Sequence, residues 1–252
     1  MRAIRSVLPV LLTAAMVALA AATWIAGTYA QRLLLERASL RLDPFGLSTF
    51  AADNAVAARG PAGATILIGD SRIAMWNPKP QRTARSVHWR GIGGQSTTQV
   101  LGRFEQDVLG LRPSAVVISA GVNDLVAAHL LGGEQDVEAK VVANLSRMAG
   151  LARARNISPF VATVIRPHRP TLLKRWNWPS DIYAQTERVN AAIKASSKGR
   201  YCVVDFDGAL SHAAGQPLPA EFASDELHLT ASAYAVLDTL LDSALSQGCH
   251  DI

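Results

Sequence analysis

Residues 64–73, Ala64-Thr65-Ile66-Leu67-Ile68-Gly69-Asp70-Ser71-Arg72-Ile73, decide how the rest of the chain is read. A short run that is apolar throughout ends at a glycine and gives way to two polar residues. Such a run suits a strand buried on both faces of a parallel sheet, because a half-exposed strand would alternate. Four further runs have the same form. Residues 86–90 (SVHWR) end at Gly91, and 115–119 (AVVIS) end at Ala120-Gly121. Residues 160–165 (FVATVI) end at Arg166-Pro167, and 201–206 (YCVVDF) end at Asp207-Gly208. Between them, 97–109, 134–154, 180–197 and 230–245 carry the periodicity of amphipathic helices. The alternation predicts a three-layer α/β/α sandwich on a five-stranded parallel sheet. In open sheets of this kind ligands bind beyond the C-terminal ends of the strands.

Those ends carry four polar segments. They are Asp70-Ser71, then Gly91-Ile92-Gly93-Gly94-Gln95-Ser96, then Gly121-Val122-Asn123-Asp124, and finally Asp225-Glu226-Leu227-His228. Alone, each has a plain explanation as a turn or a helix cap. Together, and in this order, they resemble the four sequence blocks of the SGNH/GDSL hydrolases. The tail Leu227-His228-Leu229-Thr230-Ala231-Ser232-Ala233-Tyr234 resembles that family's end block. The resemblance covers residues 64–245. It implies a flavodoxin-like SGNH fold and ester hydrolysis through a Ser71–His228–Asp225 triad. It also implies an oxyanion hole built from the backbone N–H groups of Ser71 and Gly94 and the side-chain amide of Asn123.

The chemistry expected of these residues follows from their types. A serine hydroxyl is a weak nucleophile and needs an adjacent base, which His228 would supply. Asp225 would hold the imidazole tautomer and offset its charge. A glycine at 94 suits close approach of backbone to ligand. Two positions depart from the family. Arg72 replaces a commonly apolar residue, and reads either as a solvated arginine on a first helix turn or as a charge at the mouth of the site. Gly93 stands where relatives often have serine. Other motifs fail: residues 69–73 lack the second glycine of a G-x-S-x-G elbow. Ser96 replaces the third glycine of a dinucleotide fingerprint. The histidines at 88, 129, 168, 212 and 250 show no ligand spacing, so neither metal nor cofactor is expected.

The N-terminus reads differently. After Arg2 and Arg5 no charged residue occurs until Arg32. A bilayer span needs about 20 apolar residues, whereas the apolar part of a signal peptide has about 7–15. Length favours an uncleaved anchor. Thr28-Tyr29-Ala30 nevertheless offers small residues at which a signal peptidase could cut, which would secrete the remainder. Arg2 and Arg5 hold the N-terminus in the cytoplasm by the positive-inside rule, a signal weakened by Arg32, Arg37 and Arg41. The catalytic domain would then face the periplasm from a single-pass inner-membrane anchor. The expected organisation is an anchor at 1–31, a juxtamembrane helix and linker at 32–63, and the hydrolase domain at 64–252.

Net charge is +5 and the pI about 9.6, but no compact Lys/Arg block with interleaved aromatics appears, so nucleic acid is not an expected partner. Cys202 and Cys249 are either a disulfide, which an oxidising compartment permits and which would tie the last helix to a core strand, or two thiols. The basic, aromatic stretch 166–179 follows the fourth strand. Trp176 and Trp178 there read as stacking platforms for sugar rings or as packing that holds the loop down. The expected substrates are small acyl esters of envelope glycans or lysolipid-type esters. Acyl transfer to a sugar hydroxyl, or a non-catalytic envelope scaffold, are the alternatives.

Overall fold

The computed structural model describes residues 2–76, 87–130, 136–172, 174–175, 178–211 and 213–249. Ser86, Trp176, His212, His250 and the start of the 134–154 stretch lie outside them. The chain divides into two compact units, Met1–Pro44 and Phe45–Ile252.

The first unit is one helix, α1 (Arg2–Leu42), continuous through the expected anchor and the amphipathic run beyond it. From Leu11 to Leu42 it is long and apolar enough to cross a membrane. Two of its hydroxyls bond within the helix: Thr23 donates to Leu19 O at 2.8 Å and Thr28 to Ile25 O at 2.8 Å. That is what a polar side chain needs in a medium without water.

The second unit begins with α2 (Ala51–Ala57), a helix where the Ala/Gly-rich composition reads as a connector. The elements then run β1 (Thr65–Gly69), α3 (Ser71–Ala74), β2 (Val87–Gly91), α4 (Thr97–Gly102) and α5 (Phe104–Asp107). They continue with β3 (Ala115–Ser119), α6 (Val122–Leu130), α7 (Val137–Arg153) and β4 (Ser158–Ala162). The chain finishes with α8 (Ile182–Ala195), β5 (Cys202–Val204), α9 (Phe206–Leu210) and α10 (Ala231–Gln247). The five strands form one sheet in the order β2-β1-β3-β4-β5, every pair parallel.

Both sheet faces are buried, which explains the unbroken apolar runs. Ile66, Ile68, Val116, Ile118 and Val161 enter one core with Val100, Phe104, Val141, Leu145 and Val189 from the helices. Their neighbours Leu67, Val117, Phe160, Ala162 and Val204 enter the other, with Ile73, Phe206, Leu237 and Leu241. The alternation of strand residues between the two cores is the pleat expressed in packing.

Three elements end differently from their apolar patterns, each for a local reason. The 160–165 run leaves the sheet after Ala162 because side chains capture its backbone. Asn190 accepts from Val164 N at 2.7 Å and donates to Val164 O at 2.9 Å, and Asp207 accepts from Arg166 N at 2.9 Å. The 201–206 run stops at Val204 because Asp205 caps α9, accepting from Gly208 N at 3.1 Å. The 97–109 run breaks at Arg103, whose backbone leaves the helical region at φ −104°, ψ 3°.

Cys202 and Cys249 are joined by a disulfide with a Cα–Cα separation of 5.6 Å. It ties the start of β5 to the end of α10.

Candidate active site

β1 delivers Asp70 and Ser71 to the C-terminal edge of the sheet. Asp70 caps α3 through Oδ1, which accepts from Arg72 N at 2.9 Å. Its carboxyl is buried, and burial pushes its pKa up against the lowering pull of Arg72. Ser71 is the half-buried first residue of α3.

Arg72 corrects the reading of a solvated or mouth-facing arginine. Its side chain turns inward and the residue is only 4% exposed. Nε donates to Leu227 O at 2.9 Å and Nη1 to Ile165 O at 2.5 Å. The guanidinium therefore fastens the turn that bears Ser71 to the segment that bears His228, rather than facing solvent. Burial lowers its pKa, while Asp70 opposes the shift. A second bond runs the same way: Tyr234 Oη donates to Arg72 O at 2.8 Å. Burial raises the Tyr234 hydroxyl to about 12, so it remains a donor at any working pH.

The 222–230 segment is itself a closed turn. Ala223 and Leu229 form an antiparallel bridge, and Ser224 N donates to His228 O at 3.0 Å. Thr230 caps α10 and donates to Glu221 O at 2.8 Å. Within this turn Asp225 Oδ1 accepts from the backbone N–H groups of Leu227 and His228, both at 2.8 Å. Its Oδ2 lies 2.7 Å from His228 Nδ1. Partial burial pushes the Asp225 carboxyl up, but the His228 ring and these two N–H groups outweigh it and hold it at about 2. An ionised Asp225 assigns the Nδ1 proton to that bond, which leaves Nε2 as the acceptor.

The 91–96 loop follows β2. Gly93 is near the serine: a Cβ placed on it would lie 3.9 Å from Ser71 Cβ. Gly94 has φ +73°, the left-handed region that favours glycine, and the space beside its α-carbon is open. Gln95 O accepts from Asn123 Nδ2 at 3.0 Å. Asp124 accepts from Thr97 N at 2.8 Å and Thr97 Oγ1 at 2.6 Å. The Asn-Asp pair at the start of α6 thus grips the loop at consecutive points. The Asn123 amide carries two protons, and one of them goes to Gln95 O.

The basic stretch after β4 splits into buried and exposed parts. Arg166 is buried and forked onto Asp207, with Nη2–Oδ2 at 2.7 Å. His168 N donates to Glu226 O at 2.8 Å, and Lys174 Nζ pairs with Glu226 Oε2 at 2.8 Å. The stretch is therefore fastened to the residue that follows Asp225. Trp178 is half-buried and packs against the core. Among the described residues, no three His, Cys, Asp or Glu side chains are grouped to hold a metal ion.

Sequence reasoning missed the support beneath the 91–96 loop. Gln95, Arg103, Asp107, Asn54 and Arg90 are buried and linked to one another by hydrogen bonds. The available signal was Arg103 and Asp107 at i, i+4 inside an otherwise apolar helical face.

Residues 63–236 match the model of the GDSL-like lipase/acylhydrolase family. No curated protein matches the chain. Among solved structures, a Bacteroides fragilis protein described as an acylhydrolase is 25% identical with a TM-score of 0.66, covering 81% of this chain and 97% of its own. A GDSL-like lipase from Bacteroides thetaiotaomicron is 26% identical with a TM-score of 0.65, covering 81% and 98%. An acetylxylan esterase from Geobacillus stearothermophilus is 16% identical with a TM-score of 0.56, covering 72% and 93%. That last likeness is one of fold.

Proposed function

We propose that this chain, which belongs to the GDSL-like lipase/acylhydrolase family, hydrolyses esters with Ser71 as nucleophile, His228 as base and Asp225 as its orienting carboxylate. The observation that carries the reading is the Asp225–His228 pair at 2.7 Å, on a turn fastened to the Ser71 turn by Arg72 at 2.9 Å.

In the proposed reaction Ser71 Oγ attacks the ester carbonyl carbon and its proton passes to His228 Nε2. The carbonyl oxygen becomes an oxyanion, met by the N–H groups of Ser71 and Gly94 and the second amide proton of Asn123. The bond to the alkoxy oxygen breaks, and the leaving alcohol takes the proton from His228. Water then attacks the acyl-enzyme and gives a proton to His228. Collapse returns that proton to Ser71 and releases the carboxylic acid. Asp225 stays ionised throughout and offsets the imidazolium.

The substrate class proposed is a small acyl ester of an envelope glycan or a lysolipid-type ester. We read α1 as a membrane anchor with the second unit outside the cytoplasm; a mature protein whose sequence starts at Gln31 would contradict that. The catalytic reading is tested with the full chain in detergent on p-nitrophenyl esters from acetyl to long acyl. Wild type should turn over at least one, and Ser71→Ala should lose about 10³-fold or more in kcat. Equal rates for the two proteins would refute the reading. Acetylated glycans set against lysolipids would then identify the substrate class.

A further inference from the structure

We propose that the segment from Phe45 to Asn54, which follows α1 in the chain, is a positioning element of the catalytic site. It sets where the Gly94–Gln95 loop stands, and displacing it lowers turnover rather than substrate affinity. The inference rests on the reading of Gly94 and Asn123 as oxyanion donors.

The segment meets that loop at two places and the network behind it at a third. Phe45 O accepts from Gln95 Nε2 at 2.8 Å. Gly46, at φ +72°, lies so close that an added Cβ would come within 2.7 Å of Ile92 Cδ1 and 3.1 Å of Gln95 Nε2. Asn54 bridges two charged residues: Nδ2 donates to Asp107 Oδ1 at 2.6 Å, and Oδ1 accepts from Arg90 Nε at 2.8 Å. Arg90 is the next-to-last residue of β2, just before the loop, and lies over the Phe50 ring, 4.9 Å from its centroid.

The other end of this network is the catalytic edge. Arg103 is fully buried and pairs with Asp107 at 2.9 Å. Its Nε donates to Gln95 Oε1 at 2.7 Å and its Nη2 to Gly69 O at 2.8 Å. One guanidinium thus spans the strand end two residues before Ser71 and the loop that carries Gly94. Gln95 uses its side-chain oxygen, its side-chain nitrogen and its backbone oxygen at once, on Arg103, Phe45 and Asn123. Such a buried network holds one arrangement only while its members are satisfied. Phe45 and Asn54 are the members contributed from outside the stretch that matches the family. Oxyanion donors stabilise a transition state only where they stand within hydrogen-bond range of the developing charge. A shift of about 1 Å can cost about 100-fold in rate.

The test uses the full chain in detergent. Gly46→Ala pushes a methyl against Ile92 and Gln95 without touching the core. Gly63→Ala is the control for backbone strain, since Gly63 has φ +102° with open space around it. Asn54→Ala removes the bridge. Hydrogen exchange of residues 92–96 and 71–74 is measured together with kcat and KM for p-nitrophenyl acetate. Gly46→Ala and Asn54→Ala should speed exchange at 92–96 and lower kcat by about tenfold or more. KM should move by less than about twofold, and the pH profile of kcat/KM should keep its shape. Gly63→Ala should match wild type. Wild-type exchange at 92–96 in Gly46→Ala would overturn the proposal, even if Asn54→Ala failed to fold. A wild-type protein that hydrolyses no ester would defeat the hydrolase reading, while the exchange result would still decide the positioning role.

Discussion

A charged residue directly after a proposed nucleophile reads as solvent-facing because nothing nearby in the sequence offers it a partner. Arg72 turns inward because its acceptors are backbone carbonyls at Leu227 and Ile165, which carry no side-chain signature. Arg72→Leu should cost about 1–3 kcal/mol for each carbonyl left without a donor, measured by urea unfolding, and should lower kcat as the His228 turn loosens. Arg72→Lys should not restore either, since one ammonium cannot reproduce the two-nitrogen fork. Wild-type stability in Arg72→Leu would remove the clamp from the account of the site. Asp225 makes a second prediction. Its folded pKa of about 2 lies below the ordinary value, so the turn's contribution to stability is complete above about pH 4 and is lost as pH falls further. From about pH 4 to 8 Asp225 should therefore take up no proton, as read from the carboxylate carbon shift in the folded protein. A proton taken up by Asp225 in that window would show that it is not held ionised. Asp225→Asn should lower kcat by about 10³–10⁴-fold through the wrong tautomer.

Elements were legible where burial left a pattern. The five apolar runs and the polar residues just after them placed Ser71, Gly94 and Asn123 on one edge, because a parallel sheet buries both faces and puts its loops there. What failed to show were features decided by side-chain capture of backbone. Asn190 and Asp207 end β4 early from helices that lie later in the chain. Arg103 breaks the 97–109 helix while reaching Gly69 O, a contact no local window contains. The Ala/Gly-rich 51–63 stretch gave no hint that Asn54 would be buried against Asp107. At this scale the α6 start is the sharpest test of the oxyanion reading. Asn123→Ala should lower kcat by about 10²–10³-fold with KM little changed. A rise in KM at constant kcat would make Asn123 a ground-state contact instead.

For the whole molecule, the disulfide and the proposed site lie at opposite ends of the sheet. Cys202 opens β5 at its N-terminal end, and the bridge closes a separation of 47 residues. Replacing both cysteines by serine should lower the unfolding free energy by about 2–4 kcal/mol and leave kcat unchanged; a parallel loss of kcat would show that the bridge reaches the site. Sequence left that pair open because it carries no Cα separation, and the fold supplied 5.6 Å. The helix α1 was legible from its charge-free run and the helical periodicity that follows it, but the role of the residues just after it was not, since their partners lie 36 to 53 residues further on. The assignment of Ser71 is tested most directly by treating the full chain with a fluorophosphonate and mapping the adduct by mass spectrometry. A single adduct on Ser71, abolished in His228→Ala together with ester turnover, is the predicted result. Ester turnover in a protein that carries its adduct on another residue, or that survives Ser71→Ala, would contradict it.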